Sequence, residues 1–153
     1  MSKYIRIVLS GLLGGFVSEG FLGAMFTSAP VQRALYNPDI QSKVFIEITP
    51  TRELLPSIAG IVILSIAHSW LFTIFQPSVP GSSRMAKGLF WGFTIWLMYW
   101  VFQEWFIYHT LLREPLLLNA LELTILLLGS LIEGLIISFM LTPKVGSIPT
   151  DPR

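Results

Sequence analysis

The sequence contains no cysteine and few charged residues. Charged side chains account for 12% of its 153 residues and hydrophobic ones for 53%, whereas a soluble domain has about 25% charged residues. Without cysteine the chain has no disulfide framework, thiolate metal site or cysteine nucleophile. Its ten lysines and arginines nearly cancel its nine aspartates and glutamates, so no basic field exists to bind nucleic acid. The abundant apolar residues, with a mean hydropathy of +0.68, predict a membrane protein.

Signatures of catalysis are absent as well. The sequence has no G-x-S-x-G motif, no H-E-x-x-H motif and no phosphate-binding glycine loop. No aspartate lies in the long apolar segments to complete a Ser/His/Asp set. We therefore expect a protein without enzymatic activity.

Four apolar segments are long enough to cross a hydrocarbon core of roughly 30 Å, which takes about 20 helical residues. They are Ile7–Thr27, Leu54–Phe75, Gly88–His109 and Pro115–Thr142. Backbone groups inside a bilayer must be hydrogen-bonded internally, and the alternating strands of a membrane barrel are not seen, so we expect helices. The sequence predicts an all-α integral membrane protein in which residues 1–153 form one domain, a bundle of four transmembrane helices.

The placement of lysine and arginine predicts the orientation of this bundle. The N-terminal tail, the connection after the second helix and the C-terminal tail share one side of the membrane and hold six basic residues, against four on the other side. The positive-inside rule places both termini in the cytoplasm, and we expect the membrane to be a bacterial inner membrane. Residues 28–53 then form an outward loop, which either lies on the bilayer surface or serves as a docking surface or lid. Residues 143–153 form a cytoplasmic tail.

Glycines indicate how the helices pack. The motif G-L-x-x-G-F begins at Gly11 in the first predicted helix and again at Gly88 in the third, which suggests two tandem helical hairpins of the same orientation. Small residues let helices approach closely in lipid. Gly11, Gly15 and Gly23 are therefore predicted to pack the first helix tightly, as a central element, and Glu19 on a similar arc is predicted to face protein.

The third predicted helix is unusually aromatic, with ten aromatic residues among 22. Interfacial belts explain those near its ends but not those at mid-membrane. Three interpretations compete: the rings fill space opposite the glycines of the first helix, pack against a partner subunit, or line a site for a flat ligand such as a quinone, carotenoid or porphyrin. No residue demands such a cofactor. The candidate partner or flat-ligand surface consists of Trp91, Trp96, Tyr99, Trp100 and Trp105.

Ionisable residues inside the predicted spans are functional candidates, because charge within a bilayer is costly. The candidates for a polar axis that carries protons or a cation are Glu19, His68, Glu104, Glu122, Glu133 and, at the membrane edge, His109. A rise of about 1.5 Å per residue places three of the glutamates in the outer half of the membrane. The same rise places His68 and Glu133 in the inner half.

No basic residue lies in the spans to neutralise these carboxylates. They must be protonated, hydrogen-bonded to serine, Asn119, tryptophan or tyrosine, bound to a cation or paired with another chain. Helix-bundle di-iron sites carry a Glu-x-x-His motif, which is absent here, and the two histidines differ too much in depth to share one haem, so we expect no metal. In the simplest alternative, neutral glutamic acids tie the helices together through hydrogen bonds.

Three functional hypotheses remain. The first is a non-catalytic accessory or structural subunit of a larger membrane complex, such as a respiratory or photosynthetic electron-transfer assembly. The second is a small proton or cation transporter, or a channel component, that uses the intramembrane Glu/His axis. The third is a quinone- or pigment-binding membrane subunit. The expected partners are the lipid bilayer and other membrane subunits, with no nucleic acid.

Overall fold

A computed structural model describes residues 2–48 and 53–143. Within these ranges the regular structure is entirely helical, without a strand. The α-helices are α1 (Lys3–Phe26), α2 (Ala29–Leu35), α3 (Leu54–Phe75), α4 (Arg84–Ile95) and α5 (Leu116–Leu141). Three π-helical stretches accompany them, π1 (Lys43–Ile48), π2 (Trp96–Trp100) and π3 (Phe102–Leu111). Part of the predicted outward loop, residues 49–52, and the predicted tail beyond residue 143 lie outside the described residues.

Three helices, α1, α3 and α5, are long and apolar enough to cross a membrane, with 24, 22 and 26 residues. They indicate an integral membrane protein, as the composition predicts. The third predicted span, Gly88–His109, does not form one long α-helix, since α4 ends after 12 residues at Ile95 and the chain continues as π2 and π3. Aromatic side chains lose rotamer freedom against the preceding turn of an α-helix, and the winding changes within this aromatic run.

The long helices run between two ends of the molecule. Arg6 donates a hydrogen bond of 2.5 Å from Nη2 to the carbonyl oxygen of Met140, and Lys87 donates one of 2.8 Å from Nζ to that of Gln76. The start of α1 therefore lies beside the end of α5, and the end of α3 beside the start of α4. We call this the terminal end. The opposite connection end holds α2, π1 and the turn at residues 112–115.

A central helix of the bundle is α5, which packs against α1 on one side and α4 on the other. A Cβ on Gly92 would lie 2.4 Å from the carbonyl oxygen of Ser130, and one on Gly134 would lie 2.4 Å from that of Gly88. Leu22 of α1 covers a further small residue of α5, Gly129. The sequence predicted the first helix as a central, tightly packed element, and α1 shares the central position with α5, because it packs against both α3 and α5.

Glycine also brings α1 against α3. A Cβ on Gly11 would lie 2.6 Å from the carbonyl oxygen of Ser65, and one on Gly15 would lie 2.0 Å from its hydroxyl oxygen. The first G-L-x-x-G-F motif thus lies at the contact of α1 with α3, and the second at the contact of α4 with α5. These are the helix pairs of the two predicted hairpins. Gly23 departs from the prediction. No described atom lies within 4 Å of a Cβ placed there, because α1 borders a cavity at this level.

Candidate functional site

A cavity of about 610 Å³, which we call the large cavity, lies at the connection end between α1, α2, π1, π3 and α5. Binding sites for small molecules have volumes of about 300–1,000 Å³. The carboxyl-bearing residues of its lining are Glu19, Glu104 and Glu122, the three glutamates that the sequence places in one half of the membrane. None of the described residues that line it is basic.

Two of these glutamates are buried and incompletely hydrogen-bonded. Glu104 is 1% exposed and Glu122 is 3% exposed. Within the described part of the chain, Oε2 of Glu104 and Oε1 of Glu122 have no hydrogen-bond partner, and the two carboxyl groups interact electrostatically. A buried polar atom left without a partner costs about 1–3 kcal/mol. Both residues line the large cavity, so its wall contains carboxyl groups whose hydrogen bonding is incomplete within the described chain.

The aromatic segment that carries Glu104 is fixed to the central helix by side chains. Asn119 of α5 donates a hydrogen bond from Nδ2 to the carbonyl oxygen of Glu104. Trp96 donates one of 2.9 Å from Nε1 to the carbonyl oxygen of Leu123. π-Helical turns are rare and frequently occur at functional sites, and π2 and π3 both contribute to this cavity.

The connection between α1 and α3 forms part of the wall of the large cavity. α2 contributes Gln32 and Leu35 to the lining, Tyr36 follows directly after it, and π1 contributes Val44 and Phe45. The described part of the predicted outward loop, residues 28–48, covers one side of this cavity, and we call it the lid. Since the hydrophobic side chains of α2 pack with those of α1 and α5, this lid is part of the folded bundle.

Glu114 anchors the lid, a role that was not predicted from the sequence. Its carboxylate accepts hydrogen bonds from Ser42 Oγ at 2.5 Å, from the backbone N–H of Lys43 at 2.7 Å and from that of Val44 at 3.0 Å. His109 meets the carbonyl oxygen of Glu114 with Nδ1 at 2.8 Å. His109, one of the residues predicted for the polar axis, is therefore held at the turn and does not line the large cavity. No local pattern links a turn glutamate to a serine 72 residues away.

A second cavity of about 190 Å³, the small cavity, lies between α1, α3, π2 and α5. It brings His68 and Glu133 together, with Nδ1 of the histidine 2.9 Å from Oε1 of the glutamate. Their side chains are 20% and 10% exposed. Counting residues along the spans placed His68 and Glu133 at similar depths in the membrane, and this was the sequence signal for their contact. A histidine partner for Glu133 was not among the predicted alternatives.

The two cavities are neighbours that share part of their walls. Glu19 and Trp100 line both of them, and Tyr99, whose ring centroid lies 4.6 Å from that of Trp100, lines the small one. Towards the terminal end, Ser10 donates a hydrogen bond of 3.0 Å to the hydroxyl of Ser69, and both residues are fully buried. Polar side chains thus follow one another from the connection end towards the terminal end.

The five aromatic residues predicted to form one surface are not brought together. Trp91 is buried in the apolar cluster at the terminal end, against Phe72. Trp96 is bonded to α5, and Tyr99 and Trp100 lie at the cavities. Trp105 is 44% exposed and packs on His109. The change from α to π winding at Trp96 redistributes these side chains around the segment, because a spacing that marks one face of an α-helix does not do so in a π-helix.

The grouping of carboxylates in the large cavity is too open for a metal ion. Nowhere in residues 2–48 and 53–143 do three histidine, aspartate or glutamate side chains lie close enough together to hold one. The chemistry that these residues can supply is therefore hydrogen bonding, proton exchange and attraction of positive charge. Comparison of the chain with protein-family models, curated proteins and solved structures finds no match in any of the three.

Proposed function

We propose that the protein is a small proton-translocating membrane protein, or the proton-conducting component of a transporter. Its path follows the Glu/His axis. The observation that carries this proposal is the contact of 2.9 Å between His68 and Glu133 in the small cavity, next to a large cavity lined by three glutamates. Intramembrane carboxylate and histidine chains are the usual elements of proton relays.

The chemistry needs only groups that accept and release protons in turn. A neutral histidine has one ring nitrogen that donates and one that accepts, so it can take a proton on one side and release it on the other. Glu19 borders both cavities and is the bridging group between the glutamates of the large cavity and the His68–Glu133 pair. Hydroxyl groups of Ser65 and Ser69 continue the path, since Ser65 lines the small cavity and Ser69 is bonded to Ser10.

The proposal includes four membrane crossings. The segment from Arg84 to Leu111 starts at the terminal end, beside the end of α3, and reaches the turn that precedes α5. This course supports a fourth span built from α4, π2 and π3. Two tandem hairpins, α1–α3 and α4–α5, are consistent with the glycine contacts.

We also propose that the terminal end faces the cytoplasm and that the membrane is a bacterial inner membrane. The described basic residues at that end are Lys3, Arg6, Arg84 and Lys87, and those at the connection end are Arg33, Lys43 and Arg113. The excess agrees with the positive-inside rule. The lid and the large cavity then face outward.

Proton flux into liposomes tests the proposal. The purified protein is reconstituted with an entrapped pH-sensitive dye, and a valinomycin-clamped potassium gradient drives protons inward. We expect acidification in liposomes with the unsubstituted protein and at least a tenfold lower rate with Glu133→Gln, which keeps the shape and a hydrogen-bonding group but cannot exchange a proton. Glu53→Gln is the matched control, because Glu53 is exposed at the start of α3 and makes no side-chain cap.

Equal acidification by Glu133→Gln and Glu53→Gln would contradict the proposal, as would an unsubstituted protein that conducts no more protons than empty liposomes. The thermal unfolding of each variant in the same detergent separates loss of conduction from loss of the fold.

A second candidate is the accessory subunit of a larger complex, for instance a respiratory or photosynthetic electron-transfer assembly. Exposed aromatic side chains on π3 favour it: Phe102 is 57% exposed, Trp105 44% and Phe106 53%. Aromatic residues are enriched where subunits meet. Native purification in mild detergent followed by mass spectrometry tests it, and a stoichiometric partner is the expected result. The absorption spectrum of that fraction tests the quinone- or pigment-binding alternative. A clean homo-oligomer without a chromophore would contradict both.

A further inference from the structure

We propose that the large cavity binds an organic ammonium ion that carries an apolar or aromatic group. The inference names a substrate class for the site at which the proposed proton path begins, and it rests on the proposed function for the role of that ligand. The binding itself is argued from the lining of the cavity.

The hydrogen bonding of two glutamates in the lining of the large cavity is incomplete within the described chain. Glu104 and Glu122 line the cavity, and both residues are less than one-tenth exposed. One carboxyl oxygen of each, Oε2 of Glu104 and Oε1 of Glu122, has no partner among the described residues. The lining supplies no basic side chain to neutralise them. An ammonium group brings positive charge and N–H donors at once, and charge-assisted hydrogen bonds are roughly twice as strong as neutral ones.

Aromatic side chains form part of the wall of the large cavity. Tyr36 and Phe45 of the lid, with ring centroids 5.7 Å apart, line the cavity together with Phe26 and Trp100. Aromatic faces attract cations within about 6 Å of the ring centroid, and tryptophan does so best. The same rings provide an apolar surface for a hydrocarbon group. An ammonium ion with such a group therefore fits both parts of the lining.

The volume of the large cavity also favours an organic cation. A volume of about 610 Å³ far exceeds the space that one bare cation occupies, and no three carboxylate or histidine groups in the described chain converge on a metal position. Gly23 keeps part of the cavity open, because a Cβ at this position would meet no described atom within 4 Å. The space suits an organic cation better than a metal ion.

The test is calorimetric titration of the full chain in lipid nanodiscs, with the signal of empty nanodiscs subtracted. The probe is 2-phenylethylammonium, and 2-phenylethanol has the same skeleton with a neutral hydroxyl in place of the ammonium group. We expect the ammonium ion to bind at least tenfold more tightly than the alcohol. Glu122→Gln should weaken its binding at least tenfold, whereas Glu53→Gln should change it less than twofold.

A steric pair of variants gives an independent readout that does not depend on charge. Gly23→Leu fills the cavity and should abolish binding, and Gly20→Leu is its control. Gly20 lies on the same helix, is exposed, also has open space around a Cβ and lines neither cavity. Both variants should keep the thermal unfolding temperature of the unsubstituted protein within a few degrees.

Equal affinity for the alcohol and the ammonium ion would overturn the inference, and so would full binding by Gly23→Leu. The two proposals fail separately. Ammonium binding without proton flux would leave the cavity assignment standing and refute the proton path. Proton flux without ammonium binding would refute only the ligand class.

Discussion

In the small cavity, the carboxyl group of Glu133 meets the ring of His68 at 2.9 Å, whereas in the large cavity Glu104 and Glu122 each keep a buried oxygen without a partner in the described chain. The small cavity measures about 190 Å³ and the large one about 610 Å³. A pair at hydrogen-bond distance in a narrow space can pass a proton between its members. Unpaired acceptors in a wide space need a partner from outside.

A third kind of buried carboxylate shows why burial alone does not identify a site. Glu114 is 1% exposed, as deeply buried as Glu104, yet its carboxylate accepts three hydrogen bonds from the lid. These hydrogen bonds hold the lid in place, so the role of this carboxylate is structural. What separates a structural glutamate from a functional candidate is therefore the number of partners supplied by the protein, since an unsatisfied acceptor carries a cost that a ligand can remove.

The largest expected effect comes from Glu114→Ala, which breaks the lid and leaves the small cavity in place. Each hydrogen bond to a charged group contributes about 1.5–3 kcal/mol, and we expect a loss of at least about 3 kcal/mol in the free energy of unfolding in detergent. Binding of 2-phenylethylammonium should disappear as well. The control is Glu47→Ala, because Glu47 pairs with Lys43 at the surface and such pairs contribute about 0–1 kcal/mol. Equal destabilisation of both variants would contradict the anchoring role.

The next effect is that of His68→Ala, which would make the small cavity resemble the large one. It removes the partner of Glu133 and should cost about 1–3 kcal/mol, the penalty of an unsatisfied buried group. Proton flux into liposomes should fall at least tenfold, while ammonium binding in the large cavity should change less than twofold. Flux at the unsubstituted rate would show that the pair is only a structural contact.

Filling the small cavity with Gly60→Leu should affect transport and leave the fold intact. Gly60 lines this cavity, and a Cβ there would meet no described atom within 4 Å. Because leucine has a higher helix propensity than glycine by up to about 1 kcal/mol, the variant should unfold no earlier than the unsubstituted protein. We expect a severalfold lower proton flux, with Gly20→Leu as the control. Unchanged flux would mean that the path avoids this space.

The smallest effect is expected from Trp100→Phe, which alters the wall shared by both cavities. A cation–π contact contributes about 0.5–1 kcal/mol at exposed sites, and tryptophan is its best partner. The substitution should weaken ammonium binding two- to fivefold and reduce proton flux by a similar factor. An effect confined to one assay would show that the shared wall does not connect the two cavities.

Most of the fold could be predicted from hydropathy. The second predicted span, Leu54–Phe75, coincides with α3, and the first and fourth differ from α1 and α5 by only a few residues. The π winding of the third segment could not be predicted, since the choice between i→i+4 and i→i+5 hydrogen bonds leaves no trace in an apolar run. The central position of α5 also depended on which helices meet, which no single helix reveals.

Part of the site could be predicted from depth alone. Counting residues along the spans placed the glutamates of the large cavity at similar levels, and it did the same for His68 and Glu133. The partners of each carboxylate required tertiary contacts. Glu114 and Ser42 are neighbours only because the lid folds back over the bundle, and Gly23 borders open space although its spacing matches that of two packing glycines.

The most direct test of the division between the cavities is to measure proton flux and 2-phenylethylammonium binding side by side in Glu133→Gln and Glu122→Gln. The account predicts that Glu133→Gln loses flux at least tenfold and keeps ligand binding, whereas Glu122→Gln loses binding at least tenfold. If Glu133→Gln conducts protons like the unsubstituted protein, or if Glu122→Gln binds the ammonium ion as tightly, the roles assigned to the paired and unpaired carboxylates are wrong.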